Sequence, residues 1–136
     1  IFEEYGITAE QEITVEPAPE AYAYTTFMIV NTSQGTFPEA MATLLPCYWI
    51  YWEVGKQLSG VGSKNAVYQK WIDTYASDAY ATVVKETIGI INIVADRVSK
   101  EERDSMKSLY RRGCRYEWMF WDSAYYRRSW PPPVSL

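Results

Sequence analysis

The segment Leu44–Gly55, reading LLPCYWIYWEVG, limits what this 136-residue chain can fold into more than any other stretch. It is apolar almost all the way round, so a helix made from it belongs in the middle of a structure and not on its surface. Pro46 lies inside that pattern. An interior proline removes one backbone hydrogen bond and crowds the carbonyl four residues back, at a cost of roughly 3 kcal/mol. Directly after the break comes Cys47, one of two cysteines in the chain. A buried aromatic helix with a thiol at its proline break is the expected wall of a pocket, and the facing wall must come from elsewhere in the chain.

The length suits one domain with a modest core, and residues 1–136 are read as a single helical domain. A net charge of −4, with no basic stripe among the aromatics, argues against nucleic acid as a partner. No apolar run approaches the ~18 residues of a membrane span, and Ile1–Tyr5 is not a signal peptide, so no membrane partner is expected either. Two unclustered cysteines fit a reducing compartment, and the expected location is the cytoplasm. The chain contains no histidine. That removes the commonest metal ligand and the usual general base, and with them haem, zinc and Ser-His-Asp chemistry; no metal site is expected.

Start and stop signals predict helices throughout. Ile1–Tyr5 reads as a segment that breaks at Gly6, and Thr8-Ala9-Glu10-Gln11 has the form of a capping box for one short turn. Pro19 suits the first position of a helix running to about Ser33, with Gly35 just past its end. Thr36-Phe37-Pro38-Glu39 is a second capping box. It opens a helix whose inward stripe runs Ala40, Leu44, Cys47, Tyr51, Val54 and Leu58, and Ser59–Ser63 ends it. A shorter helix, 65–75, places Tyr68, Trp71, Ile72 and Tyr75 on one side. Ser77 caps the next, with a stripe from Tyr80 through Val83, Val84, Ile88 and Ile91 to Val98. Ser99-Lys100-Glu101-Glu102 is a third capping box. So tight a junction predicts that the helices on either side run antiparallel and pack on each other. Pro131-Pro132-Pro133 stops the last helix at about Arg128 or Ser129. The fold class is all-α.

On the last helix the inward positions run Met106, Leu109, Tyr110, Gly113, Cys114, Glu117, Phe120, Trp121, Ala124 and Tyr125. Glu117 sits in the middle of that apolar stripe. Such a carboxylate is either structural, tied to a Tyr, Arg or Trp donor, or catalytic, with desolvation raising its pKa until it exchanges a proton near neutral pH. Cys47 alone has an ordinary reading as an inert core thiol. Together the two say more, because they lie on inward stripes of different helices, each amid aromatics: Tyr48, Trp49, Tyr51 and Trp52, and Tyr116, Trp118, Phe120 and Trp121. Aromatic walls with a few convergent polar groups suit a flat ring. A thiol needs something to lower its pKa before it attacks. Glu117 as a base and the backbone N–H groups freed around Pro46 are both candidates.

Three blocks, Leu44–Tyr51 followed by Glu53-Val54-Gly55, then Tyr68–Tyr75, then Arg115–Asp122, resemble in order and spacing the signature blocks of the TenA/thiaminase II family. Ala23-Tyr24-Thr25 fits a fourth upstream. The resemblance implies a helical bundle of the haem-oxygenase-like type, without haem, usually a homotetramer. It implies an aminopyrimidine aminohydrolase, hydrolysing 4-amino-5-aminomethyl-2-methylpyrimidine to the hydroxymethylpyrimidine and in many members cleaving thiamin, with no cofactor. By motif position, Cys47 is the nucleophile that adds to the pyrimidine ring, Glu117 holds a ring nitrogen and moves protons, and Tyr51 hydrogen-bonds near the thiol or the carboxylate. Tyr24, Tyr75 and Phe120 line the substrate pocket.

Two departures accompany the resemblance. The family's N-terminal helices, which supply an Asp that recognises the aminopyrimidine, have no counterpart here, so this chain corresponds to the C-terminal part of the family's domain. Cys114 stands where a small hydroxyl residue is expected, one turn before Glu117; a disulfide to Cys47 would inactivate the nucleophile. The rivals are a non-catalytic or pyrimidine-binding shortened homologue on the same fold, and an iron enzyme of the haem-oxygenase type, which lacks its histidine ligands here. The arginines from Arg111 to Arg128 are read as cations favoured near a helix C-terminus.

Overall fold

The computed structural model describes residues 5–132, so the segment read at Ile1–Glu4 and the end of the proline tail lie outside the described residues. Among them the chain forms six helices and no strand. They are α1 (Ala9–Thr14), α2 (Pro19–Gln34), α3 (Phe37–Ser59), α4 (Ala66–Tyr75), α5 (Asp78–Arg97) and α6 (Lys100–Tyr126). The all-α expectation holds.

The starts follow from side chains that satisfy backbone N–H groups which a first helical turn leaves unpaired. Gln11 and Thr8 exchange backbone and side-chain bonds of 2.9 and 3.2 Å ahead of α1. Pro19 opens α2. Thr36 and Glu39 close a full capping box on α3, with Glu39 Oε2 accepting from Thr36 N at 3.0 Å. Asn65 caps α4 and Ser77 caps α5. At α6 the box is half formed. Ser99 accepts from Glu102 N, but the Glu102 carboxylate accepts from the Thr36 hydroxyl at 2.9 Å. Ser105 likewise donates to Glu39 Oε1 at 2.6 Å, so the first turns of α3 and α6 are tied together.

α3 is the hub: α2, α4, α5 and α6 all pack on it. Pro46 does not end the helix, which runs unbroken from Phe37 to Ser59 with the proline ring buried. A Cβ on Gly113 of α6 would lie 2.8 Å from Pro46 Cγ, so the absence of a side chain there lets the two helices close on the proline. Near the other end a Cβ on Gly55 would lie 2.7 Å from the Tyr75 carbonyl carbon, which brings the end of α4 against α3.

Two expectations about packing fail. α5 and α6 hardly touch, despite the tight turn between them; both lean on α3, where Ile91 and Met106 join Ala42 and Leu45 in the core. The buried faces also differ from the predicted stripes. Thr43, Leu45, Pro46 and Gly55 are buried on α3 while Val54 and Leu58 are exposed, and Ser123 is buried on α6 while Tyr125 is 81 % exposed. Several faces of these helices are apolar, so periodicity finds a stripe without finding the side that a neighbour covers.

A methyl group at position 55 would have to displace backbone. Gly55→Ala is therefore expected to destabilise the chain by about 1–3 kcal/mol, measured by urea unfolding. Wild-type stability would contradict the close approach of α3 and α4.

Candidate active site

Glu117 lies 2 % exposed in the middle of α6. Tyr24 of α2, itself buried, donates its hydroxyl to Glu117 Oε1 at 2.7 Å. Tyr24 is held in turn by Tyr116, whose ring stacks on it at 5.7 Å and also meets Phe27 at 5.0 Å. Glu117 Oε2 is buried with no partner in hydrogen-bonding geometry among the described residues. Burial raises the carboxyl pKa above its ordinary value, and the Tyr24 bond and the nearby Cys47 thiol oppose that rise. An unpaired buried oxygen is a costly place for negative charge and a favourable place for a proton.

Cys47 follows Pro46 on α3, half-buried and not in a disulfide. Burial, and then the Glu117 charge beside it, push its thiol up to about 11. The thiol is therefore protonated at neutral pH, and the group placed to take its proton is the same carboxylate that disfavours its ionisation. Among the described residues no cation offsets that effect.

The aromatic wall is continuous. Tyr51, one turn after Cys47, meets Tyr75 at 4.9 Å, Trp71 at 5.8 Å and Trp121 at 5.7 Å. Phe120, three residues beyond Glu117, lies edge-on to Trp121. Burial raises the phenol pKa of Tyr51, and Glu117 and then Cys47 add to it; its hydroxyl makes no hydrogen bond to either among the described residues. Tyr75 is shifted the same way, by burial and then by Cys47 and Glu117.

The structure thus brings Cys47, Glu117, Tyr24, Tyr51 and Tyr75 into one electrostatic neighbourhood, with Phe120 at its aromatic edge. Tyr24, read as pocket lining, is bonded to the carboxylate. Tyr116, one of the aromatics expected around Glu117, stacks behind Tyr24, and Tyr80, the first residue of the stripe expected on α5, packs behind Tyr75; sequence reasoning gave neither a part in the site, because spacing does not show which distant ring each one meets. Cys114 is half-buried, its thiol raised by burial against the effect of Tyr110, with Glu117 adding to the rise. An apolar cavity of about 690 Å³ lies against the same aromatic wall, lined by Ile50, Val54 and Val67 together with Tyr51, Trp71 and Trp121; neither Cys47 nor Glu117 lines it. Among the described residues no group of three or more Cys, Asp or Glu side chains is gathered to hold a metal ion.

The sequence profile of the TENA/THI-4/PQQC family matches residues 1–127. The chain is 38% identical over 124 residues to the aminopyrimidine aminohydrolase of Bacillus subtilis, covering 91% of this chain and 52% of that one. It is 34% identical over 127 residues to the aminopyrimidine aminohydrolase of Halalkalibacterium halodurans, covering 92% and 57%. Its fold superposes on the TenA homologue from P. horikoshii OT3 with a TM-score of 0.80 and 27% identity, covering 92% and 58%. The chain spans a little over half the length of each of these relatives.

The raised carboxyl of Glu117 has a signed consequence for stability. Between the ordinary carboxylate pKa and its higher folded value, the native state binds a proton that the unfolded state releases, so stability falls as pH rises through that window. Glu117→Gln keeps an acceptor for Tyr24 and removes the charge. The variant is expected to gain on wild type as pH rises from about 4 towards neutrality, by up to about 1.4 kcal/mol per pH unit within that window. Urea unfolding at several pH values measures this, and a pH-independent difference would contradict the placement of Glu117.

Proposed function

The chain belongs to the TENA/THI-4/PQQC family, and from that premise we propose that it acts in thiamin salvage as an aminopyrimidine aminohydrolase. The substrate is 4-amino-5-aminomethyl-2-methylpyrimidine, converted with water to the hydroxymethylpyrimidine and ammonia, and the activity extends to cleavage of thiamin. The observation that carries this reading is Glu117: a buried carboxylate, one oxygen fixed by Tyr24 and the other unpaired, beside the Cys47 thiol.

In this reading Cys47 sulfur adds to an electron-poor carbon of the pyrimidine, and its proton passes to Glu117. The added electron pair breaks the carbon–nitrogen bond of the 5-aminomethyl group, and that nitrogen leaves as ammonia after taking a proton from Glu117, while the 4-amino group stays on the ring. Water then supplies the oxygen of the new hydroxyl, one of its protons returns to the site, and the sulfur leaves as the ring regains its aromaticity. The sum is one water consumed and one ammonia released. A general base is needed because the thiol, pushed up to about 11, forms almost no thiolate unaided near neutral pH. Tyr51 and Tyr75, together with Phe120, give the ring an aromatic wall, while Tyr24 sets the orientation of the carboxylate. The chemistry calls on no cofactor. Association into a homotetramer, which the resemblance implies, would cover exposed aromatics such as Trp118 and Tyr125. The location expected for such a salvage enzyme is the cytoplasm.

Ammonia release from the aminopyrimidine tests the proposal. The wild-type chain is expected to release it, Cys47→Ser to abolish release while remaining helical, and Glu117→Gln to slow it by roughly 10²–10⁴-fold. A folded, helical wild-type chain that binds the aminopyrimidine without releasing ammonia would favour the non-catalytic homologue.

A further inference from the structure

We infer that Tyr80 is a positioning residue for the Cys47–Glu117 centre, tying the start of α5 to the helical turn that carries the thiol. The inference rests on the reading above, in which those two side chains react with substrate.

Tyr80 lies in the first turn of α5, where its backbone N–H donates to the capping hydroxyl of Ser77 at 3.1 Å. From that fixed point the phenol reaches α3. Its hydroxyl donates to the Tyr48 carbonyl at 3.3 Å, one residue beyond Cys47. The ring meets Tyr75 edge to face, with centroids 4.9 Å apart and an interplanar angle of 87°. Tyr75 in turn packs on Tyr51 and Trp71. One side chain therefore holds both the backbone of the thiol's turn and the aromatic wall beside it.

Pro46 has no N–H, so the Ala42 carbonyl lacks its helical partner in the turn that leads into Cys47. The close approach of Gly113 to the buried proline ring holds that side. The Tyr80 bond ties the other side, at the Tyr48 carbonyl just after the thiol. Burial, then Tyr75 and Cys47, push the Tyr80 phenol to about 12, which keeps its hydroxyl protonated and donating across the working range. Tyr80 makes no hydrogen bond to Glu117 or Cys47 among the described residues, which fits support of the centre and not proton transfer within it.

Tyr80→Phe tests this, because it removes the hydroxyl and keeps the ring and its burial. Two readouts apply, each on variants checked for helicity. The first is the rate of iodoacetamide alkylation at Cys47, resolved by peptide mass spectrometry, with Cys114 as the internal reference. Release of the thiol's turn admits water and reagent, so alkylation at Cys47 is expected to rise by roughly threefold or more, with Cys114 unchanged. The second is turnover: kcat is expected to fall roughly three- to tenfold with KM nearly unchanged. A purely structural role would lower the melting temperature and leave both readouts at wild-type values, and that result would overturn the inference. The alkylation comparison needs no turnover. A wild-type chain that releases no ammonia would count against the aminohydrolase reading, and the Cys47 alkylation ratio would still decide the role of Tyr80.

Discussion

The hydrogen bond from Tyr24 to Glu117 is the interaction on which the rest of this structure turns. Taking a carboxylate out of water is unfavourable by several kcal/mol unless partners replace the lost solvent. Here one partner is supplied, at 2.7 Å, and the second oxygen is left without one among the described residues. The arrangement is therefore held in place and still short of full compensation. A proton on Glu117 relieves the shortfall. Cys47, a thiol raised by the same burial and by the same charge, is the neighbour with a proton to give. Neither group would behave this way alone. An isolated buried thiol is inert, and a fully bonded carboxylate is a structural anchor.

The helices are arranged to keep that pair together. Glu117 and its hydroxyl donor come from α6 and α2, separated by 93 positions in the chain, and Cys47 comes from α3. α3 brings them into register because α2 and α6 both pack on it. Gly113 lets α6 approach Pro46 closely, next to Cys47 and one turn before Glu117. The cross-ties from Thr36 to Glu102 and from Ser105 to Glu39 fix the same two helices at their starts. Gly55 performs a similar service for α4, whose last residue, Tyr75, must lie against Tyr51. A proline that would break an exposed helix is tolerated because neighbouring helices enclose it.

Much of this was legible in the sequence, for local reasons. Caps depend on residues three or four apart, so Thr8, Thr36, Ser77 and Ser99 announce their helices directly. Glu117 and Cys47 stood out because each departs from the pattern around it, a carboxylate in an apolar stripe and a thiol at a proline break. The Tyr24–Glu117 bond was not legible, since one of twelve tyrosines carries no mark of its distant partner. Nor was the separation of α5 and α6. A short turn limits where a helix can go, but the broad apolar surface of α3 decides where it packs. The helical period places Val54, Leu58 and Tyr125 inward for the same reason: in a chain this rich in apolar residues, more than one face satisfies it.

The coupling between the carboxylate and the thiol is the central claim, and the infrared S–H stretch of Cys47 reads it directly. The band is isolated by subtracting the spectrum of Cys47→Ser, which leaves out Cys114. At pH about 9.5, above the ordinary thiol pKa of ~8.5, wild-type Cys47 should retain most of its S–H intensity, because burial and the Glu117 charge hold the proton on. In Glu117→Gln the charge is gone, and the band should lose intensity at the same pH. Equal loss in both proteins at that pH, with midpoints at the ordinary thiol value, would mean that Cys47 feels neither burial nor Glu117, and the account of the site would fail.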